Sequence, residues 1–387
     1  MVGVQLDLRD PQRHLVGVVL SVQPRLPRLR LQLPGWTPGS YLIRDYVRQL
    51  EGLEAVQDGR PLALERLGPA AWQLCPDPDG GVLEIRYRVL ATELSVRTCH
   101  LDAQHGFLAL AAVVLEVEGE RWEPHQLNCL LPPAWQVFTP LEAGECSSEP
   151  LWWAKDYDTL IDSPLEAGPH TVLSFCVAGV PHQWVCWAGS EGADQWLLDR
   201  YPTLLGDVER VCEACCRLMG VERPAADHYL FVLHLLDQAY GGLEHDNATV
   251  LVYGRRDFEK PNGYRRFLQL VAHEYLHQWN VRRLRPAELT PIDYHRPPVV
   301  PSLWFAEGVT SYLDQFLPFS AGLGTSEQLL EDLGEDLSRY RLTPGRAVQS
   351  LRSSSQEAWV KLYKADAYAA DSQVSYYLKG AVVALCL

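Results

Sequence analysis

Two histidines four residues apart bracket the segment His273-Glu274-Tyr275-Leu276-His277, and nothing else restricts the fold of this 387-residue chain so far. On a helix, positions i and i+4 share one face, about 40° apart around the axis. Phe267, Leu268, Leu270, Val271, Leu276 and Trp279 surround the pentapeptide, so the helix it implies is largely buried. Two imidazoles and a carboxylate on a buried helix are costly unless something pairs with them. A metal ion does so. His273 and His277 then share one Zn2+, and Glu274 serves as general base on the zinc-bound water. Downstream, Trp304-Phe305-Ala306-Glu307-Gly308 leads into a second expected helix over residues 307–316, and Glu307 is the candidate third ligand. A His₂Glu set with an open fourth position is what catalytic zinc requires. A bare HExxH arises by chance in soluble helices; the downstream Glu307 segment argues against chance here.

Composition narrows the partners. A formal charge of −15 disfavours nucleic acid and anionic membrane surfaces. A hydrophobic share of 47% with 12 Trp supports sizeable cores, and the length allows two or three domains. The first ten residues lack a basic stretch followed by an apolar core, so a cytoplasmic setting is expected, with the ten cysteines reduced. Cys212, Cys215 and Cys216 read as small apolar thiols on a helix rather than a metal knuckle.

Residues 1–182 read as a β-rich domain. Residues 28–33 and 83–89 alternate polar and apolar strictly, and 113–117 and 172–177 are short strand-like runs. One-sided alternation implies antiparallel sheets with one wet face, hence a sandwich or saddle. His100, His105 and His125 are scattered and read as structural. Residues 183–387 differ. Helical periodicity covers 196–218, apolar strands follow at 229–236 and 248–253, and Asn262 is placed to cap the helix carrying the motif. A strand pair followed by zinc-binding helices resembles the thermolysin-like (gluzincin) core, so the expected fold is multidomain α+β. Residues 375–387 form an apolar helix that stops without a terminating signal, so the chain is expected to continue as helical sequence.

The runs Trp36 to Tyr46, Asp237 to His245 (with Gly241-Gly242-Leu243-Glu244-His245), His273 to Pro286 and Trp304 to Tyr312 together resemble the glycyl aminopeptidases. These are gluzincin metallopeptidases with a PDZ domain near their C-terminus. The long separation between His277 and Glu307 fits this family better than the aminopeptidase N relatives. The resemblance implies zinc ligands at His273, His277 and Glu307, the base at Glu274, and a PDZ region beyond residue 387. It implies that Glu244, with Gly241 and Gly242, lines the substrate cleft and binds the α-amine, although His245 replaces the usual Asn. It also implies that Tyr377 in Tyr376-Tyr377-Leu378-Lys379-Gly380 supports the oxyanion, with Tyr376 as rival. The implied function is a zinc aminopeptidase acting on peptides, with small first residues such as Gly or Ala favoured. Two other readings stay open: an endopeptidase with Glu244 turned from the cleft, and a peptide-binding or chaperone protein with a relic metal site.

Overall fold

The computed structural model describes residues 1–144, 150–189 and 193–387. These divide into two compact units, one of Met1–Thr171 with Tyr294–Arg296, the other of Val172–Asp293 with Pro297–Leu387.

The first unit is built from open β-sheets. Its eight-stranded sheet runs in the order Glu142–Ala143, Leu151–Ala154, His125–Leu130, Val2–Asp7, Leu15–Val22, Leu83–Leu90, Leu50–Gln57, Arg60–Leu62. Neighbours are antiparallel except Val2–Asp7 with His125–Leu130. The expected alternation is realised: Leu83, Ile85, Tyr87 and Val89 are buried while Arg86 and Arg88 are exposed. Leu29–Gln32 does the same in a four-stranded sheet with Glu116–Val117, Ala71–Leu74 and Glu65–Gly68. The run 113–117 is only partly a strand. Val113 and Val114 follow a short 3-10 turn, Leu110–Ala112, and are buried outside any ladder. A third sheet joins Gln136–Phe138, Leu165–Gly168, Gly106–Leu108 and Cys99–Leu101.

The second unit is α+β. Its five-stranded sheet has the order Val172–Val177, Val180–Trp187, Tyr229–Leu236, Ala248–Gly254, Tyr240–Glu244. The three middle strands are parallel, and the two outer ones pair antiparallel. The units therefore divide after Thr171, earlier than the expected boundary at 182. Ala178 and Gly179 both have positive φ, 47° and 82°, which a two-residue hairpin turn requires. That hairpin ties Val172–Val177 to Val180–Trp187, so the strand belongs to the second sheet.

The long helix expected over 196–218 is two helices, Ala193–Arg200 and Leu204–Met219, because Pro202 disfavours helical backbone at Tyr201. Cys212, Cys215 and Cys216 face the core as free thiols, and burial raises their pKa values. The helix Gly263–Leu276 packs on the sheet through Tyr275, whose ring stacks on Phe231 at 5.9 Å, and Phe267, which meets Trp184 edge-on at 6.2 Å. Asn262 occupies its N-cap position, but its side chain makes no capping bond. Among the described residues no helix is long and apolar enough to cross a membrane.

Candidate metal and peptide site

The helix Gly263–Leu276 ends at the motif itself, with His277 as its C-cap. His273 and His277 still share a face, with rings perpendicular and 4.7 Å apart. Glu307 does not open an α-helix as expected. It lies inside one turn of π-helix, Trp304–Val309, which passes into the α-helix Thr310–Ser320. A π-turn inserts a residue and re-aims the side chains on it, which is why such turns gather at functional sites. Asn280 clamps this turn. Its amide donates to the carbonyls of Phe305 and Ala306 and to Thr310 Oγ1 at 3.1–3.2 Å.

Glu307 Oε2 consequently stands 3.4 Å from both His273 Nε2 and His277 Nε2. Zinc bonds of about 2.0–2.1 Å at tetrahedral angles put ligand atoms roughly 3.3–3.4 Å apart. The three donors therefore fit a zinc ion. The outer nitrogens are fixed as well: His273 Nδ1 donates to Asp314 Oδ2 at 2.8 Å and His277 Nδ1 to the Asn280 carbonyl at 2.5 Å. Both Nε2 atoms then face the centre, the orientation that metal-binding imidazoles need. Sequence reasoning missed Asp314 and Asn280. The available signals were Asn280 within the His-Gln-Trp-Asn run and Asp314 two helical turns after Glu307.

Charge in the centre is tightly managed. Burial raises the Glu307 carboxyl, but His277 and His273 outweigh it and hold it at about 2. Burial pushes Glu274 up to about 7; the two imidazoles oppose this, and Glu244 and Glu307 reinforce it.

The edge strand Tyr240–Glu244 brings the next residues in. Gly242 lies against Glu274: a Cβ there would overlap the Glu274 carboxylate, so a larger residue would push that side chain aside. Glu244, two residues on, shares that face. Its carboxylate lies with Glu274 and His277 in one group whose ligand atoms are within 4.8 Å of one another. Glu244 is 3% exposed, and its Oε1 has no hydrogen-bond partner among the described residues. Gly241 is out of phase, its side-chain position directed at Val252.

Tyr377 arrives on the helix Tyr376–Cys386. That helix crosses the π-turn at Gly308 and Gly380, where a Cβ on either would overlap the other's backbone. The close crossing brings the Tyr377 ring over His273 at 6.3 Å and 23°. Burial, then the nearby Glu307 charge, raises the Tyr377 hydroxyl well above its ordinary value, so it stays protonated. Adjacent helix residues diverge by about 100° at Cβ. The rings of Tyr376 and Tyr377 nonetheless stack 4.7 Å apart, so the angle alone does not separate them.

The chain's sequence matches two family models: the Peptidase M61 N-terminal domain over residues 3–169 and M61 glycyl aminopeptidase over residues 266–383. The chain belongs to the M61 glycyl aminopeptidase family. Among solved structures, this M61 chain is similar to an aminopeptidase N family protein from Idiomarina loihiensis, with 32% identity and a TM-score of 0.92. All of the M61 chain is covered, and it spans 66% of that protein's length. An M1 zinc metallopeptidase variant from Deinococcus radiodurans, solved with a Tyr-Ser-Ala substrate, is 15% identical at TM-score 0.53, covering 98% of this chain and 80% of that one. Leukotriene A4 hydrolase from Saccharomyces cerevisiae is 12% identical at TM-score 0.55, covering 100% and 58%. At those identities the likeness is one of fold. No curated protein sequence matches the M61 chain.

Proposed function

We propose that the protein is a zinc-dependent aminopeptidase that hydrolyses the first peptide bond of substrates with a free N-terminus. The observation that carries this reading is the buried, unpartnered Glu244 Oε1 beside Glu274 and His277. A buried carboxylate oxygen without a partner is expensive, and a substrate ammonium supplies the missing charge. An endopeptidase would have Glu244 turned from the cleft. A preference for small first residues such as Gly or Ala is proposed from the family description.

His273, His277 and Glu307 would hold one Zn2+, which supplies a Lewis acid able to acidify water and polarise a carbonyl. Glu244 anchors the ammonium and thereby sets the distance to the scissile bond. Glu274, with a carboxyl near 7, accepts the proton of the attacking water and passes it to the leaving amine. Tyr377 donates its hydroxyl hydrogen to the oxyanion as charge develops.

The test compares Gly- and Ala-anilides and short peptides with their N-acetylated counterparts. Glu244→Ala should weaken hydrolysis of free-amine substrates by on the order of 2–5 kcal/mol in transition-state binding, and leave blocked substrates at their low basal rate. Equal losses on both would make Glu244 structural. Efficient cleavage of blocked peptides by the unaltered protein would favour the endopeptidase.

A further inference from the structure

The hydroxyl of Tyr363 lies 3.1 Å from that of Tyr377 and 3.2 Å from that of Tyr376. Three phenols therefore meet at one point of the second unit. Tyr363 comes from a separate short turn, Leu362–Lys364, so its position is set independently of the helix that bears the other two. A phenol can donate once, while its oxygen also accepts. The direction of the Tyr363–Tyr377 bond consequently decides what Tyr377 can do. If Tyr377 donates to Tyr363, its one proton is spent. If Tyr363 donates instead, the Tyr377 proton is free to point elsewhere, and accepting a bond makes Tyr377 a stronger donor. Tyr363, with its O–H committed to Tyr377, can still accept a hydrogen bond from Tyr376 on its oxygen.

We propose that Tyr363 is a positioning residue for peptide hydrolysis, donating to Tyr377 and accepting from Tyr376, so that the Tyr377 hydroxyl is aimed at the developing oxyanion. The chain runs Tyr376 to Tyr363 to Tyr377 to substrate. This rests on the reading of Tyr377 as the oxyanion donor. It assigns a use to the stacked pair, because Tyr376 supplies the far end of the relay rather than competing for the oxyanion.

The experiment uses the full chain loaded with zinc. Tyr363→Phe keeps the ring and removes only the hydroxyl. It should lower kcat by about 5- to 10-fold, the worth of one hydrogen bond, with KM, zinc content and melting temperature little changed. Affinity for a phosphinic peptide that mimics the tetrahedral state, read by calorimetry, should fall by the same factor. Tyr363→Phe added to Tyr377→Phe should cost nothing further, and Tyr376→Phe alone should cost less than Tyr363→Phe. A Tyr363→Phe loss that persists in the Tyr377→Phe background overturns the relay. So does a loss matched by a lower melting temperature with unchanged phosphinate affinity, which marks a packing role. A silent Tyr363→Phe beside a damaged Tyr377→Phe overturns the relay and leaves Tyr377 as donor. A silent Tyr377→Phe overturns both.

Discussion

The two units each contain a cluster in which two imidazoles face one carboxylate oxygen, and the clusters are built to different lengths. Around Glu307 Oε2, His273 and His277 stand at 3.4 Å, the edge of a zinc tetrahedron. Around Glu166 Oε1, His105 Nδ1 and His170 Nε2 stand at 2.8 Å, the length of a charge-assisted hydrogen bond. Both carboxylates are almost fully buried. The difference lies in how the imidazoles are held. His273 and His277 come off one helix with their Nδ1 atoms tied back to Asp314 and Asn280, which holds them at that distance from Glu307. His170 follows Gly168, whose missing Cβ lets the ring fold back over the strand Leu165–Gly168 onto Glu166. The two clusters share residue types and differ in spacing, and the spacing follows from what the imidazoles are anchored to.

The largest expected effect breaks or upholds that comparison directly. Glu307→Ala should lose bound zinc and with it activity. Glu274→Gln should keep the metal and lose about 10²–10⁴-fold in turnover. Glu166→Gln should keep both metal and turnover. Metal analysis of the three purified variants, beside a wild-type stoichiometry of one ion per chain, reads this out. Two ions per chain, falling to one in Glu166→Gln, would make the Glu166 cluster a metal site and erase the contrast. Equal zinc loss from Glu307→Ala and Glu274→Gln would undo the separate roles of ligand and base.

A smaller effect sharpens the same contrast. Glu166→Gln removes the charge that both imidazoles address, so the fold should lose about 1–3 kcal/mol. Zinc should stabilise Glu166→Gln by the same increment as wild type, so the deficit between them persists with or without metal. Zinc at about 100 times its dissociation constant should stabilise metal-depleted wild type by about 2.7 kcal/mol and leave Glu307→Ala unmoved. Denaturant melts of metal-depleted and zinc-loaded protein give all four numbers. A smaller zinc increment in Glu166→Gln than in wild type is the outcome that would contradict a purely hydrogen-bonded cluster.

The legibility of the two clusters in the sequence differed for the same reason. His273, Glu274 and His277 are written into one helical turn, and Glu307 lies in a recognisable segment, so the grouping of these four residues is readable from the sequence. Glu166 and His105 are 61 positions apart and meet only because Leu165–Gly168 pairs with Gly106–Leu108. Strands such as Leu83–Leu90 and Tyr229–Leu236 were plain from alternation and from continuous apolar character. The π-turn at Glu307 was not, because an α-helical period carries no mark of one inserted residue. Asp314, Asn280 and Tyr363 stayed hidden as ordinary polar residues whose partners arrive by tertiary packing. From the sequence, Val172–Val177 reads as a strand of the first domain; the Ala178-Gly179 turn ties it to the second sheet instead.

The smallest expected effect concerns an imidazole with neutral partners, which completes the series. His182 is fully buried, with Nδ1 on the Val180 carbonyl at 2.9 Å and Nε2 on the Tyr275 hydroxyl at 2.9 Å. Burial pulls its pKa from the ordinary 6.5 down to about 4, against the opposing pull of the Val180 carbonyl. The folded form therefore holds the neutral ring, and its stabilising contribution is complete above pH 6.5. As pH falls below 6.5 the unfolded chain takes up a proton that the fold refuses, and stability drops until the folded ring also titrates near pH 4. At about 1.4 kcal/mol per pH unit, the loss between pH 7 and pH 4.5 is about 2–3 kcal/mol at most. His182→Gln keeps a polar side chain and removes the titration. Urea melts of both proteins at the two pH values isolate the effect, because acid loss at the His273–His277 centre is common to both and cancels. The wild type should lose about 2–3 kcal/mol more than the variant on acidification. Parallel losses would mean that His182 is protonated inside the fold, and that neutral partners hold an imidazole no differently from the carboxylates of the two clusters.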